Sequence, residues 1–123
     1  MNGNSIFIDT NIILYLLGGD RTLIPLLENK KLFVSFITEL ELLSFKKLTK
    51  NEYKIIKGFL AECTIFDINS KIKELAVDIR SKYTLKLPDA IIIATALYLD
   101  MSIISADSQF NKVKETDLIF YKK

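Results

Sequence analysis

Short runs of β-branched and aromatic residues alternate with longer segments whose apolar residues recur at helical spacing, from one end of the chain to the other. The runs at 5–8 (SIFI), 32–35 (LFVS), 64–66 (TIF), 103–105 (IIS) and 118–120 (LIF) read as buried strands. The intervening segments 11–17, 22–29, 37–48, 51–62, 70–83 and 88–99 read as helices. Gly18-Gly19 stop the first of these. Tyr53, Ile56, Phe59 and Leu60 share one helical face, and Ile72, Leu75, Ala76 and Ile79 another. Segment 88–99 is almost wholly apolar, which predicts a helix deep in the fold. With 4 Gly and 2 Pro the chain is too sparsely punctuated for an all-β design. Strands separated by helices predict an α/β fold with a mostly parallel sheet of about five strands, covered on both faces. Ligands of such sheets bind beyond the carboxyl ends of the strands.

Size and composition narrow the function. The 123 residues suit one domain, 1–123, with no repeat or linker. A hydrophobic fraction of 50% and mean hydropathy of +0.25 exclude a disordered chain. The formal charge of +2 and pI near 8.6 are only mildly basic and do not by themselves indicate nucleic acid. Cys63 is the only cysteine and there is no histidine, so an intramolecular disulfide, a thiolate zinc site and imidazole catalysis are all excluded. The start, MNGNSIFIDTN, lacks a signal-peptide pattern, and no apolar run reaches membrane-spanning length. A reducing cytoplasm and no membrane association are the expectation. Burial in the core is expected for Phe45, Leu48 and Phe59.

Acidic residues stand where apolar runs hand over to helices: Asp9 in IFIDTNIIL, Glu41 in VSFITELELL, Asp89 in KLPDAIIIATAL and Asp107 in IISADSQF. Each also has an ordinary structural reading. Asp9 suits an N-cap for the helix at Asn11, and Asp107 suits a cap for a turn toward Phe110. Thr38 and Glu41 have capping-box spacing. Pro88 suits the first position of a helix, with Asp89 just inside it to complement the macrodipole. Asp67 follows the third strand as a further carboxylate, and Glu39 rivals Glu41.

If these acids share one rim of the sheet, their mutual repulsion calls for a hard divalent cation, Mg²⁺ or Mn²⁺, both of which take oxygen ligands. Such an ion generates a nucleophilic hydroxide and neutralises charge on a phosphate undergoing hydrolysis. Thr10, Asn11, Thr38 and Ser105 lie beside the acids and are candidates for orienting them. No Gly-rich phosphate loop or serine nucleophile elbow is present.

At these residues the chain resembles a PIN domain, and within that family the VapC-type toxin ribonucleases. FIDTNIILYLL resembles the opening D-T-N motif and carries Asp9, Thr10 and Asn11. SFITELELLSF resembles T-x-x-E-L, with Thr38 and Glu41. LKLPDAIIIATAL carries Asp89, and IISADSQF carries Ser105 and Asp107. The resemblance runs nearly end to end. It implies a three-layer α/β/α sandwich and Mg²⁺ or Mn²⁺ held by Asp9, Glu41, Asp89 and Asp107. It further implies endonucleolytic hydrolysis of RNA, a homodimer, and a small antitoxin partner that occupies the active-site groove. The chain departs from the family where a basic residue often precedes the fourth acid, since Ala106 stands there.

Alternative readings are a housekeeping RNA-processing nuclease without an antitoxin, a non-catalytic PIN-like RNA-binding module, and a receiver-like signalling domain. The receiver reading fits poorly, because only one acid follows the first strand and no Lys-Pro follows the last. Lysines 46, 47, 50, 54, 57, 82 and 86 are the candidates for RNA backbone contacts.

Overall fold

The computed structural model describes residues 4–122. The strands are β1 (Ser5–Ile8), β2 (Lys31–Ser35), β3 (Thr64–Phe66), β4 (Ile103–Ser105) and β5 (Leu118–Phe120). They form one sheet in the order β3-β2-β1-β4-β5. All the pairings are parallel. The helices are α1 (Thr10–Leu17), α2 (Ile24–Leu27), α3 (Phe36–Leu43), α4 (Lys50–Ala61), α5 (Ser70–Lys82) and α6 (Leu87–Tyr98).

Period-2 alternation in β1 splits the interior into two cores. Phe7 packs on one face with Ile72, Ile79, Ile92, Ile93 and Ile103, from α5, α6 and β4. Ile6 and Ile8 point the other way, toward Ile12 and Ile13 of α1, Leu42 of α3, Ile56 of α4 and Ile104. Helices therefore cover both faces, the expected three-layer sandwich. In α6 every residue from Ala90 to Ala96 is buried, so its hydrophobicity all round matches its depth.

Two helices differ from the sequence expectation. Segment 22–29 is a 3₁₀ turn (Arg21–Leu23) followed by the short α2, and Asn29 lies at φ 62. Segment 37–48 is helical only as α3, which starts at Phe36 because the Ser35 side chain accepts from Ile37 N–H. It ends at Ser44, and Lys47 turns the chain at φ 66. Phe45, expected in the core, is 42% exposed on this turn, whereas Leu48 and Phe59 pack against the α1 side. The Cys63 thiol donates to the Phe59 carbonyl at 3.5 Å, and burial pushes its pKa up to about 11, the signature of an inert thiol. No helix among the described residues is long and apolar enough to cross a membrane.

The strand order fixes where a ligand can bind. From β1 the chain steps outward to β2 and β3, then returns to place β4 on the opposite side of β1. The crevice at the carboxyl ends of β1 and β4 is thus the topological switch point.

Candidate active site

Asp9 follows β1 at this switch point. Ile8 pairs with Ile104, and Asp9 N–H continues the ladder to the Ile104 carbonyl at 3.1 Å. The next residues of both strands are therefore neighbours. Ser105 Oγ donates to Asp9 Oδ2 at 2.7 Å, and Thr10 N–H donates to Asp9 Oδ1 at 2.8 Å. Asp9 is only 5% exposed, and burial raises its pKa from 3.8 to about 6. The hydrogen bonds from Ser105 and Thr10 oppose that rise, and the negative charges of Asp89 and Asp107 add to it.

Asp107 lies two residues beyond β4. Its N–H donates to Ser105 Oγ at 3.0 Å, and its carboxylate accepts from Gln109 N–H at 2.9 Å as the cap of a 3₁₀ turn. Asp89 sits in the first turn of α6, half-buried. Burial raises its pKa first, then repulsion from Asp107 and Glu41, with Lys86 opposing.

Glu41 reaches the rim from the second turn of α3. Thr10 Oγ1 lies 2.6 Å from Glu41 Oε1 and 3.0 Å from Thr38 Oγ1. A hydroxyl has one proton, and the carboxylate is the stronger acceptor. Thr10 therefore donates to Glu41, and the Thr38 hydroxyl completes the chain. The capping box proposed for Thr38 and Glu41 does not form. Ser35 is the cap, and Thr38 lies inside the helix on the same face as Glu41. Glu39 is about 200° around the helix from Glu41 and so points elsewhere. Asp67 is exposed at the far end of β3, where it accepts from its neighbour Ile68 N–H. Asn11 is half-buried beside Asp9, and its side chain makes no hydrogen bond among the described residues.

The carboxylates of Asp9, Glu41, Asp89 and Asp107 thus share one electrostatic neighbourhood. Among the described residues, no three acids, histidines or cysteines converge into a ready-made ion cage. The donor set is all oxygen, which fits a hard cation and not a thiolate or imidazole metal. A separate groove of about 470 Å³, lined by Leu14, Leu17, Phe45, Lys46, Lys47 and Leu48 among others, includes none of these acids.

The PIN domain family model matches residues 6–116, and the chain belongs to that family. Ribonuclease VapC2 of Methanocaldococcus jannaschii is 30% identical over 142 aligned positions, which cover 97% of this chain and 95% of the relative. Among solved structures, a toxin–antitoxin complex from Klebsiella pneumoniae superposes with a TM-score of 0.79 at 30% identity, covering 93% of this chain and 95% of that one. VapBC2 of Rickettsia felis, bound to a DNA fragment from its promoter, shares the fold at TM-score 0.82 and 18% identity, covering 96% and 99% of the two chains. Nucleases of this type are metal-dependent.

Proposed function

We propose that this protein is an endoribonuclease dependent on Mg²⁺ or Mn²⁺, acting as the toxin of a toxin–antitoxin pair in a reducing cytoplasm. The observation that carries the reading is the Asp9 carboxyl, buried at the switch point, held by Ser105 and Thr10 N–H, with the charges of Asp89 and Asp107 beside it. A buried carboxylate flanked by like charges favours a cation, and perturbed acids at such a crevice mark functional sites. The ribonuclease relative and the toxin–antitoxin neighbour, each at 30% identity, support RNA as substrate and an antitoxin as partner.

In this reading Asp9, Asp89, Asp107 and Glu41 hold the ion. When bound, it supplies an activated water and offsets charge on the phosphate. Ser105 and Thr10 N–H hold both oxygens of Asp9 and keep it ionised. The Thr10 hydroxyl aims Glu41 at the rim and, with Thr38, fixes how far it can swing. A small antitoxin filling the rim would exclude RNA from the acids.

The test is cleavage of cellular RNA with Mg²⁺ or Mn²⁺ present, with cut sites mapped by sequencing. Wild-type protein is expected to cut, leaving 5′ phosphates, and Asp9→Asn and Asp89→Asn to lose activity while staying folded. If both variants cut at the native rate, Asp9 and Asp89 are not ligands. Growth arrest on expression, relieved by an adjoining antitoxin, separates a toxin from a housekeeping nuclease.

A further inference from the structure

We propose that Lys86 takes a backbone phosphate of the RNA strand beside the acids; this rests on the ribonuclease reading above and names the substrate contact it lacks. Lys86 is the N-cap of α6, and Asp89 is the third residue of that helix. Side chains at these two positions flank the same edge of a helix start, which is the relation that makes a capping box. The chain displays that relation at α4, where Thr49 N–H donates to Glu52 Oε1 at 2.9 Å and Glu52 N–H donates to Thr49 Oγ1 at 3.0 Å. In α6 the first turn is closed by Ala90 N–H donating to the Lys86 carbonyl at 3.0 Å. The Lys86 charge is close enough to oppose the rise in the Asp89 pKa.

The other cations around the connection from α5 to α6 are engaged. Arg80 Nε donates to the Leu85 carbonyl at 3.1 Å, and Lys112 Nζ to the Thr84 carbonyl at 3.3 Å. Lys82 Nζ pairs with Asp78 at 3.5 Å and Glu115 at 3.3 Å. With the Tyr83 hydroxyl on Glu115 at 2.6 Å, these contacts tie down the backbone that carries Lys86. Lys86 itself is exposed and forms no ion pair among the described residues. On the other flank, Ala106 lies between Ser105 and Asp107 and packs toward the core, so no charge comes from there. A strand approaching a rim of carboxylates is repelled, and Lys86, at the same helix start as Asp89, is placed to offset that repulsion. Lysines 46 and 47 line the separate groove instead.

The test is binding of a mixed-sequence single-stranded oligoribonucleotide to the Asp9→Asn protein at fixed Mg²⁺ over a range of KCl. Asp9→Asn/Lys86→Ala is expected to bind several-fold more weakly, with a salt slope shallower by about 0.7, the value for one lost phosphate contact on a single strand. Asp9→Asn/Lys86→Arg should restore the slope. In the otherwise wild-type protein, Lys86→Ala should raise KM more than it lowers kcat. An unchanged slope and KM in protein that still cleaves RNA overturns the Lys86 assignment alone. Wild-type protein that neither binds nor cuts RNA overturns the ribonuclease reading with it.

Discussion

Ser105 holds Asp9 from the neighbouring strand: its hydroxyl donates to Asp9 Oδ2 at 2.7 Å while accepting the Asp107 N–H at 3.0 Å. One fully buried hydroxyl thereby orients two acids of the rim. Ser105→Ala removes the largest influence holding the Asp9 pKa down, so the Asp9 carboxyl should titrate above 6. It also leaves Asp107 N–H without that acceptor. We expect a loss of about 1–3 kcal/mol in urea unfolding. The acid limb of the cleavage rate should move to higher pH. An unmoved limb would show that Asp9 does not need Ser105 to stay ionised.

The raised pKa of Asp9 also predicts an unusual pH dependence of stability without metal. Below pH 3.8 the carboxyl is protonated in folded and unfolded chains alike and costs nothing. As pH rises the unfolded chain ionises first, so the fold loses stability between about pH 3.8 and 6 and does not regain it above. The loss is on the order of 3 kcal/mol. Exposed Glu52 and Glu115 act oppositely, because their lowered pKa values stabilise the fold above the ordinary carboxylate range. The difference between wild type and Asp9→Asn in EDTA isolates the Asp9 part. That difference should open between pH 4 and 6 in denaturant melts, and parallel curves would sink the assignment.

The sheet and its direction were legible in the sequence because strand and helix periods differ, and Asp9 and Asp107 because each follows an apolar strand; Glu41 and Asp89 stand inside α3 and α6, and their placement depended on where those helices start. The ordinary and functional readings of Asp9 and Asp107 turn out to be compatible. Both are caps, and capping is what turns their carboxylates toward the rim. The Thr38/Glu41 spacing misled because positions three apart describe a capping box and a shared helix face equally well. The true box is Thr49/Glu52, and the true cap of α3 is Ser35, the last residue of β2. What pattern could not supply was the pairing of Ser105 with Asp9, which depends on strand order. Nor could it supply the end of α3 at Leu43, which leaves Phe45 exposed on the turn that Lys47 makes at φ 66.

Thr10 links α1 to α3 through Glu41 and Thr38. Thr10→Val keeps the shape and removes the hydroxyl, leaving fully buried Thr38 without its partner. A stability loss of about 1–3 kcal/mol is expected, together with weaker activation by Mg²⁺ as Glu41 loses its orientation. Thr10→Ser retains the hydroxyl and should recover most of the activation. If Thr10→Val titrates with Mg²⁺ as wild type does, the hydroxyl is structural only.

Glu39 and Glu41 provide a built-in control for the choice of second acid. They are two residues apart on α3, and only Glu41 touches Thr10 and contributes to the raised Asp89 pKa. Glu41→Gln should therefore depress RNA cleavage by at least about tenfold, since losing even a partner that only orients a metal ligand costs that much. Glu39→Gln should stay close to wild type. Relieving Asp89 of one neighbouring charge should also raise the melting temperature of Glu41→Gln in EDTA and shrink the rise that Mg²⁺ produces, because a ligand stabilises only in proportion to its affinity for the folded chain. Glu39→Gln should show the full Mg²⁺-induced rise. A reversed pattern, with Glu39→Gln inactive and unresponsive to Mg²⁺, would transfer the metal-holding role to Glu39 and require α3 to rotate from its present setting.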